Sequence, residues 1–135
     1  MRIFVNGSFD LLHTGHLDML FYAKRLGTHL HVAIDTDERI AEQKGADRPI
    51  NPLHIRKAIM SSLKPVDSVS VFGTDDELIN TIRAYSPNIM VKGSDWRGKR
   101  VIGEEFCDQV LFYERVNDES TTKIISDFIA RRQLL

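Results

Sequence analysis

The sequence predicts an α/β fold: a single Rossmann-like, doubly wound parallel sheet of about five strands, with helices on both faces. Short runs of β-branched and apolar residues alternate with longer segments that carry helical spacing, which argues for parallel strands joined by helices. Glycine, asparagine-glycine and proline punctuate the junctions. The length, 135 residues, is that of one compact domain, so residues 1–135 are read as one unit.

Ile3-Phe4-Val5 reads as the first strand and breaks at Asn6-Gly7. Met19, Tyr22, Ala23 and Leu26 then recur at helical spacing, with Leu17, Leu20 and Phe21 widening the inward face, and the helix stops at Gly27. Leu30 to Ile34 is strand two, after which Asp35-Thr36-Asp37 can cap a short helix ending before Gly45. Asn51 is read as an N-cap with Pro52 at the first helical position, and Ile55, Ala58, Ile59 and Leu63 as the apolar face up to Pro65. Val69 to Phe72 is strand three. Thr74 and Glu77 are spaced as a capping box ahead of Leu78, Ile79, Ile82 and Tyr85. Ile89-Met90-Val91 is strand four, Gly93 to Gly103 is irregular, and Val110 to Tyr113 is strand five. Ser120 caps a last helix with Ile124, Ile125, Phe128 and Ile129 expected inward.

Composition narrows the function. Eighteen Lys and Arg stand against nineteen Asp and Glu, a net charge of −1, so no field is available to hold a long polyanion and no nucleic-acid partner is expected. Cys107 is the only cysteine, which fits a reducing cytoplasm and an inert, small apolar role. No apolar run is long enough to span a membrane, and polar Asn6-Gly7 interrupts the N-terminal segment before any secretory signal could form.

The stretch that points to chemistry is Gly7-Ser8-Phe9-Asp10-Leu11-Leu12-His13-Thr14-Gly15-His16, between the first strand and first helix. Free backbone N–H groups and the positive helix end make that junction an address for an anion. Two histidines three apart on it can face the same way, and Gly15 between them lets backbone approach a ligand. Asp10 needs a partner if buried, so it is expected to bind substrate or to orient His13 or Lys44. Lys92 follows a core strand and precedes Gly93, which places it at the carboxyl edge of the sheet. Arg56 and Lys57 could reach phosphate or face water.

Gly7-Ser8-Phe9-Asp10 followed by His13-Thr14-Gly15-His16 resembles the G-x-F-D-x-x-H-x-G-H signature of the small nucleotidylyltransferases, which include cytidylyltransferases and sugar-phosphate adenylyltransferases. The similarity runs nearly end to end. Lys44-Gly45, Arg48-Pro49-Ile50-Asn51-Pro52-Leu53, Val91-Lys92-Gly93, Ile102-Gly103 and Ser120-Thr121-Thr122 resemble the adenylyltransferase domains that make ADP-heptose from heptose 1-phosphate. Asp95-Trp96-Arg97-Gly98-Lys99 and Arg115 look more like glycerol-3-phosphate cytidylyltransferases.

The resemblance implies a direct transfer, in which an acceptor phosphate oxygen attacks the α-phosphorus of a nucleoside triphosphate and pyrophosphate leaves. His13, His16 and Lys44 would be catalytic, with His16 stabilising the transition state and Lys44 neutralising charge between acceptor phosphate and α-phosphate. Gly7, Ser8, Phe9, Gly15, Lys92, Asp95, Trp96, Ser120, Thr121 and Thr122 would bind the nucleotide, the last three through the β- and γ-phosphates. Trp96 could instead be simple packing. Asp10 and Arg115 would bind substrate. No protein metal cage is visible, and magnesium would enter on the triphosphate. Relatives are commonly dimers, so a homodimer is expected. One departure stands out: Asp118-Glu119 precede Ser120 where the resembled groups usually carry a glycine, which puts two carboxylates beside an anion site unless they face solvent or meet Arg115.

Overall fold

The computed structural model describes residues 1–114 and 120–133; Arg115, Asp118 and Glu119 lie outside the described residues. The elements are β1 (Arg2–Gly7), α1 (Thr14–Arg25), β2 (His29–Asp35), α2 (Asp37–Lys44), α3 (Leu53–Ser62), β3 (Ser68–Phe72), α4 (Asp75–Tyr85), β4 (Ile89–Gly93), β5 (Gln109–Tyr113) and α5 (Thr121–Gln133), with 3-10 turns at Ser94–Trp96 and Glu104–Phe106. The five strands are all parallel in the order β3-β2-β1-β4-β5. Strand order reverses between β1 and β4, the switch point at which doubly wound sheets take their ligands.

Two apolar layers hold the sheet. On one face Ile3, Val5, Leu30, Val32 and Ile34 meet Leu20 and Ala23 of α1 and Met60 of α3. On the other, Phe4, Ala33 and Met90 meet Leu78 and Ile82 of α4, with Val101 and Phe106 from the connection to β5. The alternation of Ile3, Phe4 and Val5 between layers is the period-two consequence of a strand buried on both sides. Among the described residues no helix is long and apolar enough to cross a membrane.

Several local expectations shift. Asn51 does not cap α3: Pro52 occupies that position without a side-chain bond, and Asn51 donates its backbone N–H to Asp10 instead. The buried face of α3 is Arg56 and Met60, whereas Ile55 and Ile59 are exposed, because the helix is rotated to carry the Arg56 guanidinium inward. Phe21 of α1 is exposed rather than inward. In α5, Phe128 and Ile129 are 63% and 51% exposed, since that helix lies beside the sheet's crevice and not over an apolar layer. The box at α4 closes one residue early. Thr74 accepts from Glu77 N–H at 3.1 Å, but Glu77 accepts from Gly73 N–H at 3.0 Å.

Candidate active site

β1 and β4 share only two rungs of the ladder, Ile3 with Ile89 and Phe4 with Met90. Beyond them β1 stays on β2 as far as Gly7 opposite Ile34, and β4 stays on β5 as far as Gly93 opposite Tyr113. The strands part, and a cavity of about 440 Å³ opens at their carboxyl ends. Gly7, Ser8 and Phe9 form its β1 wall, His13, Gly15 and His16 its floor at the start of α1, Lys44 its α2 edge, and Lys92, Asp95 and Trp96 its β4 wall. Ten of the sequence-predicted residues are thus brought together.

The two histidines cap α1 and one another. His13 Nδ1 accepts from Gly15 N–H at 3.1 Å, and His16 Nδ1 accepts from His13 N–H at 3.3 Å, a reciprocal capping box built from imidazoles. Their rings stack with centroids 3.8 Å apart, and Phe9 lies 5.3 Å from His16. A ring nitrogen that accepts carries no proton, so each neutral ring holds its proton on Nε2. The backbone therefore fixes both tautomers and leaves each ring a donor at the nitrogen remote from its cap. Gly15 does line the cavity, although its N–H is taken by His13.

Phe9 has φ +47°, a conformation a bulky residue rarely adopts, and is nonetheless buried. The turn is held from below. Arg56, with no exposed surface, donates to the carbonyls of Ser8 at 2.9 Å, Asp35 at 2.8 Å and Asn51 at 2.9 Å, and to Asp37 Oδ1 at 2.7 Å. This answers the open reading of Arg56, which anchors structure and does not reach the cavity; Lys57 is exposed. Asp10 is corrected as well. Its carboxylate is fully buried, accepts from Ile50 N–H and Asn51 N–H at 2.8 Å each and from Arg48 Nε at 3.3 Å, and does not line the cavity. It fastens the 48–51 loop, which contains a cis Arg48–Pro49 bond, to the loop after β1.

Cationic groups face the cavity with their charge partly desolvated. Lys44, the last residue of α2, donates to Ser8 Oγ at 3.1 Å. Burial first, then the neighbouring Arg48, push its ammonium below the ordinary lysine value. Burial lowers Lys92 in the same sense, with Asp35 and Asp95 pulling the other way, and its Nζ sits 4.3 Å from the centre of the Trp96 ring. Sites of this kind gain from an arriving anion, which restores the charge that burial disfavours.

Sequence reading missed Asp35 and Arg39, which also line the cavity. Burial raises Asp35 above the usual carboxylate range against the opposing pull of Arg39, whose Nε lies 3.1 Å away. Arg39 also reaches Asp75 at 2.7 Å and covers the Phe72 ring. The available signal was that Asp35 ends a core strand, as Lys92 nearly does.

Ser120-Thr121-Thr122 lie beside the large cavity rather than in it. Ser120 accepts from Lys123 N–H at 2.9 Å, Thr121 donates to Leu11 carbonyl at 3.0 Å, and Thr122 lines a smaller neighbouring cavity. Among the described residues no three His, Cys, Asp or Glu side chains gather to hold a metal.

A family model described as Cytidylyltransferase-like matches residues 4–126. Among curated proteins, the Bifunctional protein HldE of Campylobacter fetus is 41% identical over 124 residues, covering 92% of this chain and 27% of that protein. The protein of the same name from Helicobacter hepaticus is 41% identical over 123 residues, 91% of this chain and 25% of its own length. The chain thus spans about a quarter of these relatives. Among solved structures, a lipopolysaccharide core biosynthesis protein from Thermoplasma volcanium superposes with a TM-score of 0.67 at 25% identity, covering 88% of this chain and 98% of that one.

Proposed function

The chain belongs to the cytidylyltransferase-like family and is a nucleotidyltransferase, and from that premise we propose that it transfers a nucleoside monophosphate from a nucleoside triphosphate to a sugar phosphate. ATP and heptose 1-phosphate are the favoured pair, giving ADP-heptose and pyrophosphate. The observation that carries this reading is the imidazole pair, whose tautomers are set by backbone caps on the floor of the switch-point cavity.

The reaction is a single displacement. An acceptor phosphate oxygen forms a bond to the α-phosphorus as the bond from that phosphorus to the bridging oxygen breaks, and pyrophosphate carries off the electron pair. No proton need be taken from an ionised phosphate, so the protein's task is to align two anions and meet developing charge. His13 and His16 would donate from Nε2 to triphosphate oxygens, His16 most strongly at the transition state. Lys44 would stand between the two phosphates. Lys92, Asp95 and Trp96 would hold the nucleoside side, and Thr121 and Thr122 the phosphate tail. Magnesium fits as an ion carried by substrate, since among the described residues the lining carboxylates are only Asp35, already bonded to Arg39, and Asp95. When bound it would neutralise triphosphate oxygens.

A second reading, CTP with glycerol 3-phosphate, is favoured by Asp95-Trp96, with Trp96 over Lys92 at the nucleoside wall. A nucleotide-binding regulatory role would keep the cavity without turnover. A cytoplasmic homodimer is the proposed working form, with exposed Phe128 and Ile129 available for burial. The test offers ATP or CTP, each with heptose 1-phosphate or glycerol 3-phosphate and magnesium, and measures pyrophosphate. Release with ATP and heptose 1-phosphate alone is expected. Nucleotide binding without pyrophosphate from any pair would leave the regulatory reading standing instead.

A further inference from the structure

The β2–β3 side of the main cavity holds a polar recess that no step of the transfer uses. Strand alternation puts Asn6 and Asp35, two residues on from Phe4 and Ala33, on the same face of the sheet as Phe72, and Asp35 stands opposite Phe72 in the ladder. From α2, Arg39 and Gln43, one turn apart, line the same space. The Asp35 side chain is only 10% exposed and engages one oxygen: Oδ2 accepts from Arg39 Nε at 3.1 Å. No described residue donates to Oδ1, yet that atom is not sealed inside the protein, so its open surface belongs to the cavity that Asp35 lines. Arg39 is itself held, by Asp75 at 2.7 Å and over the Phe72 ring at 5.1 Å, which fixes the carboxylate in place. Gln43 stands exposed at the rim, with a carboxamide that can both donate and accept.

Two properties decide what such a recess takes. A buried carboxylate repels phosphate oxygens, so the recess suits an uncharged part of a substrate. Its charge is already matched by the Arg39 guanidinium, which leaves Oδ1 as an acceptor for neutral hydroxyl donors rather than a counter-ion for an amine. In the proposed reaction the other walls are taken, with the triphosphate over the histidines, the nucleoside against β4 and Lys44 between the two phosphates. The ends of β2 and β3 are left for the organic part of the acceptor.

We propose that Asp35 and Gln43 bind ring hydroxyls of the acceptor's sugar, with Arg39 as the positioning residue that holds Asp35. The recess is then the part of the site that selects a polyhydroxylated acceptor. The inference rests on the transferase reading above, but the recess has a measurement of its own that needs no turnover.

Heptose 1-phosphate and, separately, inorganic phosphate are titrated by calorimetry into the full-length protein and into Asp35→Ala and Gln43→Ala variants, each first shown folded by thermal melting. Inorganic phosphate reports on the charged end alone. Asp35→Ala should bind heptose 1-phosphate at least about tenfold more weakly, the scale of losing a hydrogen bond to a charged group, and Gln43→Ala about threefold more weakly. Neither should bind inorganic phosphate less tightly than the parent. Removing the Asp35 charge favours any nearby anion, so a loss confined to the sugar phosphate identifies hydroxyl contacts. Gln43 is exposed, so its variant carries the test if Asp35→Ala fails to fold. In steady state both variants should raise the acceptor KM by similar factors and leave the ATP KM within about twofold of the parent's.

Heptose 1-phosphate binding that survives both variants, or that the parent lacks, would overturn the recess, and so would a parallel loss of inorganic phosphate. A rise in ATP KM alone would assign the recess to the nucleoside and overturn the acceptor assignment. Turnover of heptose 1-phosphate with a KM that neither variant moves would sink the recess and keep the transferase reading. The expected binding pattern in a protein that turns over no acceptor would do the reverse.

Discussion

The buried guanidinium of Arg56 donates from Nη1 to the carbonyl oxygen of Ser8 at 2.9 Å, 48 residues away in sequence. The same group holds the carbonyl of Asp35 and the carboxylate of Asp37, so one side chain ties the ends of β1 and β2 to α3. The strained Phe9 follows Ser8 directly, and the histidine cap begins four residues after that. Strained backbone persists only where surroundings over-determine it.

Arg56→Ala should therefore cost stability and activity together. It leaves three carbonyls and the part-exposed Asp37 carboxylate without their donor, and a buried polar group left unpaired costs about 1–3 kcal/mol. Urea unfolding should show a lower midpoint at unchanged slope. A loss under about 1 kcal/mol would mean that water replaces the guanidinium.

His16 offers a finer test. With Nδ1 spent on the backbone of His13, the proposed role of His16 in catalysis would rest on its Nε2 donor. His16→Ala should lower kcat by on the order of 10²-fold, the effect of removing one transition-state donor. His16→Gln, whose amide nitrogen reaches about as far as Nε2, should retain more activity than His16→Asn, whose amide nitrogen sits nearer Nδ1. Equal rates for the two amides would remove the tautomer argument.

How far these features were legible follows from their range. The imidazole motif, the strand-helix alternation and Lys92 at a strand end are local patterns, and local patterns survive in a one-dimensional reading. The Asp10–Arg48 and Arg56–Ser8 links are not local, spanning 38 and 48 residues. Asp10 read as a substrate ligand because a buried carboxylate needs partners, and nothing nearby in sequence showed that the partners would be the amides of Ile50 and Asn51. α3 reads as an ordinary amphipathic helix through Ile55 and Ile59. The gain from placing a guanidinium on four acceptors turned it round, and no apolar periodicity records that.

Trp96 provides a spectroscopic check, as the chain contains one tryptophan. It lies 40% exposed on the β4 wall, with Lys92 over its ring and Lys99 at 5.9 Å. A nucleotide entering the cavity would draw the Lys92 ammonium toward its charge and alter the ring's surroundings. Emission should change saturably with ATP or CTP, and the change should be lost in Lys92→Met. An unresponsive signal in a protein that demonstrably binds nucleotide would place the base elsewhere.

Acid should weaken the fold through His31. Its ring bonds Ser68 Oγ at 2.6 Å through Nδ1 and Ser70 Oγ at 2.7 Å through Nε2, stacks on Phe4 and meets Tyr85 at a tilt. Burial, and secondarily the nearby His29, hold its pKa below the ordinary histidine value. The unfolded chain therefore takes up a proton at a pH where the folded one does not. Stability is undiminished by this group above about pH 6.5, the unfolded value, and falls as pH drops from there through the lower folded value. Protonation also removes the ring's acceptor, so one serine contact must reorganise. Denaturation midpoints measured from pH 7.5 to 5 should decline more steeply for the parent than for His31→Gln, which cannot titrate. Parallel curves for the two proteins would show that the acid loss originates elsewhere.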